Sequence, residues 1–359
     1  MYRKTFLEVD IDKLYHNYDQ FITRTGKKMI VVIKANAYGL VDYEIAKLCE
    51  EKGTDMFAVS SLDEAVRLKR HGIETSTLIM GRVNQIDEVK KNGFSIIIPD
   101  YNYVKEHRSE LNGVKVHIKI NTGLNRLGIF PKEAKEVLKE LLDAGAVVEG
   151  IMTHYACPGD VDYTYSQYYL FKETVEMLDY NFKYIHTAAT DASLYLEDEI
   201  SNYTRIGLGL FGYANIEHDW DLKSVIALKA EVVSCKKVEK GEGVSYGHHY
   251  ISDGEGYILT AAIGYADGID RGLENKKVFV GGEECTVVGT VCMDLIMIHS
   301  KNPHEAGELV EIIGNHKTVE DMKDELNTCC CKVLTGISER VPRVYIKDNK
   351  AINEINLRD

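Results

Sequence analysis

The sequence lacks the long apolar run that a membrane-spanning helix needs, since no stretch of about 18 consecutive apolar residues occurs. Residues Met1–Val9 carry charge early and have no apolar core, so we expect no signal peptide. Eight cysteines are present, and without a secretory signal we expect reduced thiols in a cytoplasmic protein. Cys329, Cys330 and Cys331 are adjacent rather than spaced two to four apart, and we therefore expect no metal site.

Positively charged residues are outnumbered by negatively charged ones, and the formal net charge is −13. This deficit argues against nucleic acid or an anionic membrane as a partner, since both require a basic surface. A composition of 45% apolar and 28% charged residues is typical of a globular protein with a sizeable core. We expect a small anionic partner that is held by a few cations inside an acidic shell.

Short β-rich runs alternate with helical patterns over the first two thirds of the chain. About eight such units in roughly 220 residues predict a (β/α)8 barrel, and the Gly-rich first turn of a doubly wound sheet is missing. The predicted strands are Val31–Ala35, Met56–Ser60, Thr77–Gly81, Ser95–Pro99, Val114–Ile120, Val147–Tyr155, Lys183–Ala188 and Thr204–Gly212. The predicted helices include Ser61–His71, Gln85–Lys91, Lys132–Ala144 and Tyr165–Leu178.

After about residue 225 the pattern changes to strands that are joined by Gly, Asp and Asn turns. We therefore predict an α/β barrel domain at residues 8–224 and a mainly-β domain at 225–359, with residues 1–7 pairing with the second domain. The strands predicted in this part are Ser224–Val238, Gly256–Ile263, Lys277–Val280, Cys285–Ile298 and Glu308–Ile313, and one helix is predicted at Val319–Leu326.

Polar side chains fall at the carboxyl ends of the predicted barrel strands, where barrel enzymes place their active sites. Lys34 ends an apolar run, and burial of an unpaired ammonium is costly. Burial lowers a lysine pKa, and the neutral amine can form a Schiff base with a carbonyl. The residues that we expect to converge at this face are Lys34, Lys119, Arg126, His154, Thr190 and Arg205.

The segment Lys34–Gly39, KANAYG, resembles the cofactor-attachment motif of the alanine racemases, which are fold-type-III enzymes dependent on pyridoxal 5'-phosphate (PLP). Further similar segments follow in the family's order and span nearly the whole chain. They are residues 119–123 with 126–128, 150–154, 205–207, 244–247, 263–268 and 291–294.

The resemblance implies a homodimer whose active sites draw on both subunits and interconvert L- and D-alanine, supplying D-alanine for peptidoglycan. Lys34 then carries PLP and serves as the base on one face of the substrate Cα. Tyr246 of the partner subunit resembles the base for the opposite face, with His154 and Arg205 behind it. A phenol is a poor base at neutral pH unless a neighbouring group lowers its pKa.

The resemblance also assigns the cofactor and substrate contacts. Arg205 matches the residue that faces the pyridine nitrogen, and Arg126 matches the residue that contacts the substrate carboxylate. Lys119 matches a lysine that is often carbamylated and that orients this arginine. The phosphate contacts are Tyr38, Thr190 and the backbone of Gly207 and Leu208, and the remaining substrate contacts are Tyr265 at the entrance and the Met293 backbone.

Two departures from the family pattern concern the pocket. Leu40-Val41 replaces the usual His-Gly, and Glu339 stands where a tyrosine often bounds the pocket. The second change leaves open a racemase for serine or for several amino acids. A decarboxylase on a related barrel is a further alternative, and a non-catalytic PLP carrier is another, although such carriers lack a second base like Tyr246.

Overall fold

The computed structural model of the protein describes residues 3–358 and contains two compact units. One unit comprises Tyr15–Leu210 with Ala214–Leu222. The other comprises the described residues before Tyr15, Phe211–Tyr213 and the described residues from Lys223 onward. No helix within residues 3–358 is long and apolar enough to cross a membrane.

The strands and helices are numbered in chain order. The strands are β1 (Thr5–Asp10), β2 (Lys28–Val32), β3 (Met56–Val59), β4 (Ser76–Ile79), β5 (Ser95–Ile98), β6 (Lys115–Lys119), β7 (Val147–Met152), β8 (Tyr184–Ala189), β9 (Tyr203–Ile206), β10 (Ile226–Lys237), β11 (Gly243–Val244), β12 (Tyr250–Ile251), β13 (Tyr257–Ala261), β14 (Lys277–Val280), β15 (Glu283–Val287), β16 (Ile296–Ser300), β17 (Leu309–Ile313), β18 (Arg343–Lys347) and β19 (Lys350–Ile355). The helices are α1 (Ile11–Thr25), α2 (Lys34–Tyr38), α3 (Asp42–Glu51), α4 (Leu62–Arg70), α5 (Ile86–Asn92), α6 (Tyr101–His107), α7 (Ala134–Asp143), α8 (Val161–Leu178), α9 (Thr190–Ser193), α10 (Val319–Glu325) and α11 (Cys330–Gly336).

Eight parallel strands, β2 to β9, form a closed barrel in sequence order. The barrel closes because β2 pairs with β9 as well as with β3. Apolar side chains such as Ile30, Leu78 and Ile97 fill part of the interior. The run of apolar residues in each strand is therefore explained by burial on both faces, as parallel strands require.

The second unit is built on a nine-stranded sheet with the order β13-β16-β15-β14-β17-β10-β1-β18-β19. The amino-terminal strand β1 pairs antiparallel with β10 and parallel with β18, so it lies inside this sheet. The alternating burial of β1 and of the first half of β10 is typical of strands with one covered face. The predicted fold class, an (β/α)8 barrel followed by a mainly-β domain, is confirmed.

Several element bounds differ from the prediction. The first barrel strand ends at Val32 rather than beyond Lys34, and the last one ends at Ile206, before a 3-10 turn at Leu208–Phe211. The apolar run Cys285–Ile298 is two strands, β15 and β16, because the chain leaves the sheet between them at Gly289, where φ is +64°. The strands β18 and β19 and the helix α11 were not predicted.

Candidate active site

Lys34 opens a left-handed turn directly after the first barrel strand. The next four residues, Ala35 to Tyr38, all have φ between +51° and +56°. Non-glycine residues adopt this region at a cost of roughly 1–2 kcal/mol each. The Ala35 N–H donates to the Glu64 carboxylate at 2.7 Å, and the Ala37 N–H donates to the Ile33 carbonyl at 2.9 Å. The surrounding fold therefore holds the turn that follows Lys34 in a strained and well-defined conformation, as is common at functional sites.

Strain continues where the sequence departs from the family pattern. Val41 has φ +74° although its side chain is β-branched and fully buried. This is the position at which the similar sequences usually have glycine, which adopts positive φ without steric cost. Val41 therefore keeps the positive φ of this turn and buries an apolar side chain, but its backbone is strained.

The structure brings several of the predicted cations together at the carboxyl ends of the barrel strands. Lys119, the last residue of β6, is buried, and burial lowers its pKa to about 8 with help from Arg205, Arg126 and Lys34. All of the charged neighbours that shift the pKa of Lys119 are cations. Such a cluster favours an anionic ligand, because like charges in a buried site repel unless they are compensated.

Arg205 on β9 organises the polar groups of the barrel interior. It is 2% exposed and donates five hydrogen bonds, none of which uses its Nε–H group. Two of these bonds reach ring nitrogens, His154 Nδ1 and His186 Nδ1, each at 3.0 Å. The others reach backbone carbonyls of residues 153, 186 and 187. Burial lowers the pKa of Arg205 to about 10, so it stays charged at neutral pH.

The donor-only character of an arginine fixes the tautomers of both histidines. His154 Nδ1 must accept, and burial together with Arg205 lowers its pKa well below the ordinary value, so the neutral ring carries its proton on Nε2. His186 is fully buried and has its pKa lowered in the same way. Its Nε2–H therefore donates to His117 Nδ1 at 2.8 Å.

This chain of hydrogen bonds continues through the barrel. His117 is fully buried, and its Nε2–H donates to Glu149 Oε1 at 3.3 Å. Gly150 permits this placement, because a Cβ there would lie 2.3 Å from His117 Nδ1. The sequence analysis missed His117, His186 and Glu149. The signal that could have found them is a histidine within each of two apolar strands, β6 and β8.

The predicted phosphate contacts form a compact group around the 3-10 turn that follows β9. A Cβ at position 207 would lie 2.4 Å from the Tyr38 hydroxyl oxygen, so only glycine lets this hydroxyl approach the backbone. The Gly209 N–H donates to Thr190 Oγ1 at 3.0 Å. No backbone carbonyl of the described chain accepts from the N–H groups of Gly207 or Leu208. Free N–H groups, a hydroxyl and nearby cations are the donor set that a phosphate group requires, so the residues fit PLP.

Three other predicted residues lie on one surface of the β unit. Tyr246, Tyr265 and Met293 are 75%, 45% and 53% exposed. Their segments are joined by backbone contacts: the Tyr265 N–H donates to the Cys292 carbonyl at 3.0 Å, and Thr290 Oγ1 donates to the Tyr246 carbonyl at 3.1 Å. The structure thus groups these three residues, as it groups the barrel residues.

The buried carboxylate of Asp267 stabilises the segment that carries Tyr265. Asp267 is fully buried and accepts hydrogen bonds from Arg3 and from the Gly264 N–H. Its backbone carbonyl accepts from the Ser338 N–H at 3.0 Å. This hydrogen bond connects the segment that carries Glu339 to the segment of Asp267. The Glu339 side chain is exposed and acts electrostatically on the buried Arg343.

Comparison with known proteins assigns the chain to a family. The profile described as the alanine racemase N-terminal domain matches residues 9–215, and that of the C-terminal domain matches residues 225–345. The chain belongs to the alanine racemase family. Curated members include alanine racemase of Staphylococcus epidermidis, 32% identical over 97% of this chain and 96% of that protein. Alanine racemase 1 of Caldanaerobacter subterraneus is 35% identical over 99% and 98%.

Solved structures of the family agree with this assignment. The structure of alanine racemase from Bacillus anthracis with bound L-Ala-P has a TM-score of 0.92 and 32% identity, and the match covers 99% of this chain and 98% of that one. The alanine racemase of Bartonella henselae with covalently bound pyridoxal phosphate shares the fold, with a TM-score of 0.88 at 24% identity over 95% and 99%. The predicted family is confirmed, and the chain is an isomerase of the racemase class.

Proposed function

We propose that this racemase interconverts L- and D-alanine with PLP, and that Lys34 and Tyr246 of the partner subunit are its two bases. The observation that carries the proposal is the group of Lys34, Lys119, Arg126 and Arg205 at the carboxyl ends of the barrel strands. Lys119 and Arg205 are buried, Lys34 is half-buried and Arg126 is exposed. A cation cluster of this kind suits a ligand that carries both a phosphate and a carboxylate. The family relationship supplies the reaction.

PLP, when bound, supplies an electron sink that acidifies the substrate Cα–H. Lys34 would carry it, while Tyr38, Thr190 and the N–H groups of Gly207 and Leu208 would hold its phosphate. The Arg205 Nε–H is the donor that its protein hydrogen bonds leave for the pyridine nitrogen. Arg205 keeps its own proton at neutral pH, so the pyridine nitrogen would accept a hydrogen bond without being protonated.

The tautomer of His154 supports the proposed role of Tyr246. Because Arg205 occupies Nδ1, the proton of His154 lies on Nε2 and can be donated to a phenol oxygen. A hydrogen bond to the charged form lowers the pKa of a phenol, which a tyrosine base requires. Tyr246 is 75% exposed on its own β unit and is therefore available to the active site of a second subunit.

We also propose that Lys119 is carbamylated and that the carbamate orients Arg126 toward the substrate carboxylate. A pKa of about 8 leaves part of the Lys119 amine neutral at physiological pH, and a neutral amine adds to CO2 with loss of one proton. The product is an anion among cations, which the electrostatics of the cluster favour. Native mass spectrometry tests this: one extra CO2 per chain is expected, and Lys119→Met should lose it.

The substrate is tested by Cα–deuterium exchange in heavy water, with product chirality recorded for L-alanine, L-serine, L-lysine and L-arginine. We expect alanine to exchange and racemise fastest. Lys34→Ala should abolish exchange, and Tyr246→Phe should slow racemisation by about 10²–10⁴-fold. A protein that only carries PLP would show neither reaction and would be indifferent to Tyr246.

A shared active site is tested by mixing two inactive variants, Lys34→Ala and Tyr246→Phe. In a mixed dimer, one site combines an intact Lys34 with an intact Tyr246 from the other chain, so about one quarter of the wild-type activity should return. If both bases came from one chain, every site would stay defective. No recovery after verified subunit exchange contradicts the shared site.

We propose that residues 8–224 form the PLP-binding barrel and that residues 225–359 form the β domain. We also propose that the protein is a cytoplasmic homodimer. Its product, D-alanine, would be used for peptidoglycan. The eight cysteines are all free thiols, which agrees with a reducing compartment. Depletion of the protein should make growth depend on added D-alanine.

A second candidate function, racemisation of serine or of several amino acids, is favoured by Glu339. An exposed carboxylate takes the position of a tyrosine that often bounds the pocket in the family. Loss of that ring leaves room for a larger or more polar side chain. Glu339→Tyr should then raise the preference for alanine over serine, whereas an unchanged preference removes this candidate.

A further inference from the structure

A cluster of three metal-ligating side chains lies in the β unit, in the sequence after Tyr265. Glu283 and Cys285 are two positions apart on strand β15, so their side chains project from the same face of the sheet. His304 lies in the connection between β16 and β17. The ligand atoms of these three side chains all lie within 4.8 Å of one another. A nitrogen, a sulfur and a carboxylate oxygen at this spacing are a donor set that zinc uses.

The environment of His304 favours metal binding. Its side chain is 8% exposed, and Nδ1 lies 2.9 Å from Glu308 Oε2, so the Nδ1–H donates to that carboxylate. Its other ring nitrogen, Nε2, lies 3.4 Å from Glu283 Oε2. Nε2 is buried and has no hydrogen-bond partner within the described chain. A buried ring nitrogen without a hydrogen-bond partner beside a carboxylate is a place where a metal ion would satisfy both groups.

The second shell of the cluster also fits a metal centre. A metal-bound histidine commonly donates its other N–H to a carboxylate, as His304 does to Glu308. Glu283 is held by hydrogen bonds from Ser300 Oγ, the Lys301 N–H and Asn302 Nδ2, at 2.8–3.2 Å. Cys285 is 2% exposed, so its sulfur is protected from competing reactions. The ligands are therefore oriented before a metal arrives.

We propose that Glu283, Cys285 and His304 bind one Zn2+ ion, with a water molecule as fourth ligand. The Cys285 thiol releases its proton to solvent as the S–Zn bond forms. The metal ties the connection between β16 and β17 to strand β15. Its role is structural, because its ligands include none of the residues assigned to racemisation.

The test measures zinc in untagged holoenzyme that has been treated with a chelator, dialysed against Zn2+ and washed. We expect one equivalent per chain, and loss of that equivalent in Cys285→Ser, His304→Gln and Glu283→Gln. Cys329→Ser and His316→Gln are matched controls that should retain zinc. The Cys329 thiol is exposed, and the exposed His316 ring contacts Glu311 and Phe279 rather than the proposed ligands.

Cobalt substitution supplies a readout that is independent of stability. Co2+ in place of Zn2+ should show the intense ligand-field bands of a tetrahedral site together with a thiolate charge-transfer band, and both should vanish in Cys285→Ser. His304→Gln and Glu283→Gln keep the test informative if Cys285→Ser does not fold. Wild-type protein that binds no zinc, or ligand variants that bind as much as wild type, would overturn the proposal.

Discussion

The two surfaces that carry the predicted catalytic residues are built in opposite ways. In the barrel, the organising group is Arg205, which is 2% exposed and whose two terminal nitrogens donate to protein acceptors. On the β unit, Tyr246, Tyr265 and Met293 are 45–75% exposed, and backbone contacts hold their segments in place. The barrel site thus depends on internal burial, whereas the β-unit side chains are ready to be buried by another surface.

The contrast predicts that Tyr246 affects activity without affecting stability. Tyr246→Phe removes the hydroxyl that exchanges a proton with Cα, so kcat should fall by about 10²–10⁴-fold. The free energy of unfolding should change by no more than about 0.5 kcal/mol, because the side chain is exposed. Tyr169→Phe, at an exposed tyrosine of the barrel unit, is the control and should change neither quantity. Retention of more than half of the turnover in Tyr246→Phe contradicts the assignment.

Arg205 should show the opposite behaviour. Arg205→Met removes the donor to the buried ring nitrogens His154 Nδ1 and His186 Nδ1 and removes the hydrogen bonds to three backbone carbonyls, so buried acceptors lose their partner. We expect the holoenzyme to lose at least about 3 kcal/mol of unfolding free energy in urea denaturation.

Arg343, the fully buried arginine of the β unit, supplies the comparison for this variant. It donates to the carbonyls of Ile337, Ser338 and Val341, so Arg343→Met should cost a similar amount. Only Arg205→Met should alter the ring nitrogen resonances of His154 and the absorbance of bound PLP. Equal spectral effects in both variants would show that Arg205 has no special relation to the cofactor.

The pH dependence of the unfolding free energy tests whether burial lowers the pKa of Lys119. The pKa of Lys119 is about 8 when folded and 10.5 when unfolded, so the unfolded chain binds more protons between these values. The penalty for the buried charge is therefore complete below pH 8 and fades toward pH 10.5. In cofactor-free protein prepared without CO2, so that Lys119 is an unmodified amine, Lys119→Met should be more stable than wild type by up to about 3 kcal/mol at pH 7. This advantage should shrink as the pH is raised to 9.5, and a constant advantage contradicts the assignment.

The smallest expected effect concerns the strained turn. Ala35 is exposed and has φ +53°, so Ala35→Gly should stabilise the protein by about 1 kcal/mol in thermal or urea unfolding. Ala144 has a right-handed conformation with φ −76°, and Ala144→Gly should destabilise by about 0.5–1 kcal/mol. If both substitutions destabilised the protein, the turn after Lys34 would not be strained.

The barrel was predictable because each strand is a short apolar run and its position depends on local sequence alone. The left-handed turn was not, because Ala35 and Ala37, unlike Asn36, belong to a residue type with no preference for positive φ. Strand β18 also escaped prediction, and although it forms a local hairpin with β19, its other partner β1 lies at the opposite end of the chain. Non-local pairing of this kind leaves no periodic signal in a single sequence.

For the site, the sequence placed the polar groups at strand ends, where barrel geometry brings them together. It did not indicate that Arg205 connects His154 to the buried pair His186 and His117. Those contacts join residues that are 19 to 69 positions apart, and only the closed barrel brings them within hydrogen-bonding distance.

The most direct test of the account locates the cofactor itself. Holoenzyme is treated with borohydride, which fixes PLP to the lysine that carries it, and the digested peptides are mapped by mass spectrometry. We predict a single label on the peptide that contains Lys34. A label on any other lysine, or fully active racemase without a label, contradicts the account.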